Sequence, residues 1–456
     1  MKHLILVILT FFSFNAFAQI HFEASQDVST DLHNGQDVYT ADIDGDNDLD
    51  VISASSHDDT IAWYENTDGL GTYGPKQVIS TNANYAKMVK VADIDGDGIV
   101  DVISASAHDD KIAWYKNDGS GNFGVEQIVS TDEDFVVEIF VADIDGDNDM
   151  DIAAAALDDN TISWYRNDGT GNFSSKIIID TNFNEAKSVF IADMDGDNDM
   201  DIVAVAYGIG TLAWFENTDG NGTFSSRIII SDAIERIESV AVNDMDGDNE
   251  MDIVVTASSG NRLTWWKNSN TSFTEHLITT NLGTIGRISI ADFDGDGDFD
   301  ISLVNYLQWP RVYIYTNTDG LGDFTHAQTL VVIGYPVGIH SADIDGDGDY
   351  DLFTASINGF LGNNDRIAWY ENTSTLSVKS NVFKNYKITP NPTKGNIHIT
   401  SDKLIREVQI YNSFGILVLK TSKIESLNIS NLSKGVYFIK LIFNDNTIVS
   451  DKIIKS

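Results

Sequence analysis

An aspartate-rich nonapeptide recurs seven times along the chain, starting at Asp42, Asp93, Asp143, Asp193, Asp244, Asp292 and Asp343, at intervals of 51, 50, 50, 51, 48 and 51 residues. A period of this length confines the chain to repeat architectures, in which each unit buries its apolar face only against its neighbours. A second landmark keeps step with the first. Trp63, Trp114, Trp164, Trp214 and Trp265 each lie 21 residues after the first aspartate of their repeat. In the sixth copy Ile314 takes that place at 22, and in the seventh Trp369 arrives at 26, after an insertion rich in Gly and Asn.

Between the landmarks, short apolar runs alternate with turn formers. In the fourth repeat, residues 188–192 lead into the aspartate loop, 201–206 lead out of it, 211–215 precede a Gly/Asn turn at 217–222, and 224–231 form a fourth run. β-branched and aromatic runs bounded by Gly, Asn and Asp are strands. The apolar spacing of three and four that marks a helical solenoid is absent. Four strands per repeat, seven times over, predicts an all-β chain folded as a seven-bladed β-propeller. The fourth strand of each unit is expected to open on an aromatic residue: Tyr73, Phe123, Phe173, Phe224, Phe273 and Phe324. No such strand follows Trp369, but an orphan copy at residues 22–30 precedes the first loop. That copy is expected to complete the seventh blade and lock the ring, leaving no free sheet edge.

The nonapeptide reads Asp-x-Asp-Gly-Asp-(Gly/Asn)-x-x-Asp. Its first three carboxylates converge on one point only where the backbone turns sharply, which the glycine (Gly45 in the first copy) permits by accepting positive φ. The last aspartate then closes the site from the start of the next strand, with a backbone carbonyl adding an oxygen. The candidate ligands are Asp42, Asp44, Asp46 and Asp50; Asp93, Asp95, Asp97 and Asp101; Asp143, Asp145, Asp147 and Asp151; and Asp193, Asp195, Asp197 and Asp201. The remaining three loops add Asp244, Asp246, Asp248 and Asp252; Asp292, Asp294, Asp296 and Asp300; and Asp343, Asp345, Asp347 and Asp351. All-oxygen, carboxylate-rich sites suit Ca²⁺, here up to seven ions, whereas zinc or copper calls for His or Cys. Without a cation the carboxylates of one loop repel each other strongly. Repetition suits a structural staple rather than a reaction centre, with dissociation constants of about 10⁻⁴ to 10⁻³ M, as in other extracellular modules.

These repeats resemble the FG-GAP/VCBS family, whose calcium loops join the first two strands of blades in propellers like those of integrin α-subunits. The resemblance spans residues 20–372, without the literal Phe-Gly and Gly-Ala-Pro signatures. It implies a rigid, calcium-bearing ring. Fungal lectins and some sugar-active enzymes share this propeller type, so the fold leaves the function open.

The two ends carry separate signals. Lys2, the apolar run at 4–14 and the small residues Ala16 and Ala18 read as a signal peptide over residues 1–18. The run is too short to anchor in a bilayer, and no other segment reaches spanning length, so no transmembrane segment is expected in the mature chain. From Tyr386 the chain is free of repeats and lysines outnumber acids. The stretches 390–395 (Pro-Asn-Pro-Thr-Lys-Gly), 408–412, 435–440 and 451–456 resemble the type A sorting domain of the type IX secretion system of Bacteroidetes. That resemblance implies the secretion machinery as a partner and a destination outside the cell or on its outer surface. The expected division is a signal peptide (1–18), the propeller (19–373), a linker (374–385) and a small antiparallel sandwich (386–456).

The balance of 28 basic against 70 acidic residues, net −42, repels nucleic acid and anionic lipid, so no nucleic-acid partner is expected. With no cysteine, disulfides and thiolate metal sites are excluded. The repeated tryptophans, at a fixed strand position, are expected to pack between blades. Turns between the second and third strands, on the face opposite the calcium loops, differ from repeat to repeat and suit ligand recognition. His57 and His108 each precede two aspartates in neighbouring blades, placed to share a ligand or a metal, and Trp309 is an aromatic on the same face. These three are the candidate ligand-binding residues. Catalysis needs an asymmetric set of acid, base and charge stabiliser. His57, His108, His340, Arg287 and Arg311 break the repeat, but their spacing specifies no reaction and no catalytic residue is assigned. The expectation is a monomeric, exported, non-catalytic binding or adhesion module for an extracellular polysaccharide or protein, with a polysaccharide lyase or hydrolase as the alternative.

Overall fold

The short β-branched runs become strands throughout. The computed structural model describes residues 20–306, 310–357 and 365–374, then 386–389, 393–401, 404–412, 417–421, 427–432, 434–443 and 448–455. Among them the one helical element is a single 3-10 turn, Ser259–Asn261. No helix among them is long and apolar enough to cross a membrane. The segments expected as signal peptide (1–18) and linker (374–385, apart from Ser374), and Trp309, lie outside the described residues. The chain divides after residue 376 into a repeat unit and a C-terminal unit.

In the repeat unit the described strands form seven four-stranded antiparallel sheets. The first comprises Gly35–Ala41, Asp50–Ser55, Thr60–Tyr64 and Gln77–Ser80, in that order from the inner edge outward. Inner strands pack on one another in chain order, and the last, Tyr335–Ala342, returns against the first, Gly35–Ala41. This closed arrangement is a β-propeller. The seventh sheet draws its outer strand from the other end of the repeat unit: Gln26–Ser29 pairs with Arg366–Tyr370, Gln26 lies opposite Trp369, and Phe22 bridges Asn372. Arg366 Nη1 donates to Asp27 Oδ1 at 2.7 Å across that seam. The orphan strand thus closes the ring as its sequence suggests.

Second strands such as Asp50–Ser55 and Asp201–Ala206 are buried at every residue. Adjacent sheets cover both of their faces, which is why they read as continuous runs of Val, Ile, Ala and Ser rather than alternating ones. The tryptophans lie at the contacts between sheets. A Cβ on Gly121, in the second sheet, would meet the Trp63 ring of the first at 2.3 Å. Gly171 lies as closely on Trp114, Gly222 on Trp164, Gly322 on Trp265 and Gly71 on Trp369. None of these tryptophans is more than 6% exposed, so they pack the ring together and are not free to stack on a ligand.

In the first four sheets the fourth strand begins later than expected, whereas in the sixth it opens on Phe324 as expected. Tyr73, Phe123, Phe173 and Phe224 each form an isolated bridge to an asparagine, and the strands resume at Gln77, Gln127, Ile177 and Ile228. The interruptions open on Gly or Ser, at Gly74, Gly124, Ser174 and Ser225; in the first sheet Gly74 has no side chain to pack and Pro75 no N–H to donate, which weakens the ladder.

The C-terminal unit has two sheets. One holds Tyr386–Thr389, Asn396–Ser401 and Leu427–Asn428; the other holds Leu417–Thr421, Ile405–Asn412, Gly435–Phe443 and Ile448–Lys455. Ile397 and Ile399 from one sheet share a buried cluster with Val408, Ile410, Ile439 and Leu441 from the other, which gives the expected small antiparallel β-sandwich.

Candidate metal centres and the face opposite them

Each aspartate loop joins the first and second strands of its sheet and is built by its own carboxylates. In all seven, one oxygen of the first aspartate accepts the N–H of position 6, as Asn47 N to Asp42 Oδ2 at 3.1 Å. The glycine at position 4 has φ between 70° and 82°, and position 6 has φ between 67° and 99°. The second value explains why only Gly or Asn occurs there: both enter the left-handed region at little cost.

The ninth aspartate is the keystone. Asp50 Oδ2 accepts Ile43 N at 3.0 Å, and its Oδ1 accepts Asn66 N at 2.8 Å. The same two bonds recur in every loop. The asparagine in turn reaches back to the previous sheet: Asn117 Nδ2 donates to Ile43 O at 2.7 Å, and Asn66 Nδ2 to Ile344 O at 3.2 Å across the seam. These seven residues, Asn66, Asn117, Asn167, Asn217, Asn268, Asn317 and Asn372, tie each loop to its neighbour. Sequence reasoning passed over them, although they stand 16 residues after the ninth aspartate in five copies.

Oxygens of Asp42, Asp44 and Asp50 lie within 4.8 Å of one another, as do those of Asp93, Asp95 and Asp101 and of Asp143, Asp145 and Asp151. In the fourth and fifth loops the converging trios are Asp193, Asp195 and Asp197, and Asp244, Asp246 and Asp248. Oδ1 of Asp44, Asp95, Asp145, Asp246 and Asp294, all at position 3, is buried without a hydrogen-bond partner. A buried carboxylate oxygen lacking a donor is costly unless a cation meets it. Burial raises Asp50, Asp151, Asp201, Asp252 and Asp351 to about 7, and Asp300 to about 8. The donor set, all hard oxygen, fits Ca²⁺.

The loops are not equal. Two residues after the landmark tryptophan stand Lys116, Arg166 and Lys267 in the second, third and fifth repeats, and Glu65, Glu216 and Glu371 in the first, fourth and seventh. Arg166 contacts Asp145 at 2.6 Å and Asp147 at 2.9 Å. Lys116 bridges Asp95 and Asp97, and Lys267 bridges Asp246 and Asp248. A fixed cation thus neutralises part of the charge in these three loops.

On the opposite face, the aspartates after His57 and His108 hold the fold. Asp59 Oδ1 accepts Tyr85 N at 2.9 Å and Asp110 Oδ1 accepts Phe135 N at 3.1 Å, each latching the next sheet. Asp58 pairs with Lys76 at 3.2 Å, and Asp109 with Lys111 at 3.0 Å. His57 Nε2 lies 3.0 Å from Asn34 Nδ2. His108 stacks on Tyr85 at 4.1 Å and lies 5.8 Å from Phe135, forming a three-ring ledge. Tyr85 and Phe135 have φ of 62° and 57°.

Comparison with known proteins agrees with this geometry. An FG-GAP-like repeat model matches residues 42–104, 93–154, 143–204, 193–255 and 244–303, and a secretion system C-terminal sorting domain matches 387–456. Ulvan lyase NLR42 of Nonlabens ulvanivorans is 36% identical over 95 residues, 20% of this chain and 18% of that enzyme. The chain thus spans less than a fifth of that relative. Among solved structures, an Agrocybe aegerita protein described for specific recognition of non-reducing terminal N-acetylglucosamine has a TM-score of 0.50 at 20% identity, covering 66% of this chain and 81% of its own. BBS1N in complex with ARL6DN has a TM-score of 0.52 at 10% identity, covering 79% and 100%. Both show the fold alone. The sorting domain marks the chain for export toward the cell surface or the extracellular space. With successive repeats matched over more than half its length, the chain belongs to the FG-GAP-like repeat family.

Proposed function

We propose that the protein is a calcium-stabilised, non-catalytic binder of extracellular glycan, displayed or released outside the cell. The ledge of Tyr85, His108 and Phe135 carries this reading. A bulky residue in the left-handed region costs of order 1–3 kcal/mol, which Asn or Gly would avoid. Two adjacent sheets nevertheless place aromatic rings there, beside an exposed histidine. Flat rings held rigidly on one face suit stacking against a sugar. The carboxylates of the histidine turns are already engaged with backbone and lysine, which leaves no acid–base pair among them. Up to seven calcium ions would brace the scaffold, the loops without Lys or Arg holding theirs most tightly.

The alternative, a polysaccharide lyase or hydrolase, draws support from the likeness to ulvan lyase. Affinity electrophoresis of the full chain through a panel of polysaccharides, with and without calcium, separates the two. Calcium-dependent retardation, lost in the Tyr85→Ala/Phe135→Ala double variant and without unsaturated or newly reducing products, is expected. Release of such products overturns the non-catalytic reading.

A further inference from the structure

The inner strands of the ring assemble one more site, on its axis. Each shifts register near its start, as between Gly35 and Asp37, Ala86 and Met88, or Val136 and Glu138. A bulge breaks the alternation of side chains, and both Val137 and Glu138 line one axial cavity. That cavity measures about 140 Å³, room for on the order of ten waters, and shares Glu138 and Arg287 with a second, of about 100 Å³, further along the same strands.

Lys87, Lys187 and Arg287 converge in it with Glu138, Glu238 and Tyr306. Arg287 pairs with Asp37 at 2.7 Å and stands 3.9 Å from Glu138; Lys187 stands 3.7 Å from Glu238. Lys87 has no carboxylate partner among the described residues. Its Nζ donates to Gln36 Oε1 at 2.8 Å and lies 5.4 Å from the centre of the Tyr85 ring. Lys90, deeper, likewise rests on an aromatic face, 4.8 Å from the centre of Tyr39. The four cations outnumber Asp37, Glu138 and Glu238. Burial, then the nearby Lys187 and Arg287, drive Lys87 down to about 7, and burial lowers Lys90. In a chain whose net charge is −42, this channel gathers four basic side chains against three carboxylates, and an anion entering it would favour the charged form of Lys87.

We propose that this axial mouth is an oxyanion-binding site in which Lys87, Lys187 and Arg287 take a carboxylate or sulfate ester of an acidic extracellular polysaccharide, while the Tyr85 ledge holds a neighbouring sugar ring. Guanidinium and ammonium groups form short, charge-assisted bonds with such oxyanions, and the ligand supplies the charge that Lys87 lacks. This inference rests on the glycan-binding reading and adds its site and ligand class.

Titration calorimetry of the calcium-loaded full chain tests it. The probes are a polysaccharide bearing both uronate and sulfate ester, its desulfated and carboxyl-reduced forms, and a neutral glucan. The acidic polymer binds, one of the two modified forms loses affinity and so identifies the oxyanion, and Lys87→Met lowers affinity at least tenfold. Lys87→Met also leaves the buried Gln36 Oε1 without its donor, so the melting temperature of each variant is recorded to separate lost binding from unfolding. A Lys187→Met variant gives a second, independent loss. Equal affinity for the neutral glucan, or acidic binding unchanged in both variants, overturns the axial site while leaving glycan binding intact. Failure of every polysaccharide to bind the wild-type chain defeats the glycan-binding reading itself.

Discussion

Single residues in this ring serve their neighbours more than their own sheet. Gly121 shows it: φ is 70° and the Trp63 ring occupies the space a methyl group would need. Gly121→Ala is expected to cost about 1–3 kcal/mol, read as a lower urea midpoint. Gly98→Asn, in a position where Asn47 and Asn148 already adopt positive φ, is expected to change stability by less than about 0.5 kcal/mol. Equal effects from the two would contradict the packing argument. His340 gives a pH signature. It stacks on Tyr39 at 4.3 Å, meets Thr40 Oγ1 at 3.0 Å and shares its cavity with Lys90 and Arg287, and burial lowers it to about 3. Unfolded, it titrates near 6.5. The unfolded chain therefore binds the extra proton between these values, and stability falls as pH drops through that window, by up to about 1.4 kcal/mol per unit. His340→Gln should flatten that part of the profile; an identical slope would show that His340 is not its source.

At the level of elements, what the sequence revealed depended on whether the partners are local. The aspartate loops were legible because every carboxylate of a loop lies within nine consecutive residues, at a spacing that repeats. The closing strand was legible as a missing copy at one end and a spare at the other. The asparagine latches were not, because Asn after a strand looks like turn punctuation, and its acceptor lies 72 to 79 residues back or, at the seam, 278 ahead. The ring's seam is where loss of an element costs most. A chain beginning at Leu32 loses buried Ile20, Phe22 and Val28, together worth about 5 kcal/mol, and should melt roughly 10 °C lower than one beginning at Gln19. An unchanged melt would mean that the strand does not close the ring. Among the loops, replacing the fixed cation should favour the ion: Lys116→Gln is expected to tighten one class of calcium site roughly two- to five-fold by calorimetric titration. No change would show that Lys116 does not compete for Asp95 and Asp97.

At the scale of the whole molecule, repetition supplies the scaffold and departures from it supply candidates for function. Lys87, Glu138, Lys187, Glu238 and Arg287 each stand five or six residues before an aspartate loop, so the repeat period does bring them together; their alternating charge is what hid the pattern, because a repeat is sought in residues that stay the same. Trp309, expected as an aromatic on the ligand-binding face, lies outside the described residues. The C-terminal sandwich is a separate matter of export, and its match to a sorting domain needs nothing from the propeller.

The central claim is that calcium in the aspartate loops holds the ring together. Scanning calorimetry of the purified chain, in millimolar calcium and again in excess chelator, tests it most directly. At tenfold excess over its dissociation constant each occupied loop contributes about 1.4 kcal/mol, so several loops acting together should drop the melting temperature by well over 10 °C on chelation, with recovery when calcium is restored. A melting temperature that is the same in both solutions would contradict the account, and would leave the buried, partnerless oxygens of Asp44, Asp95, Asp145, Asp246 and Asp294 without an explanation.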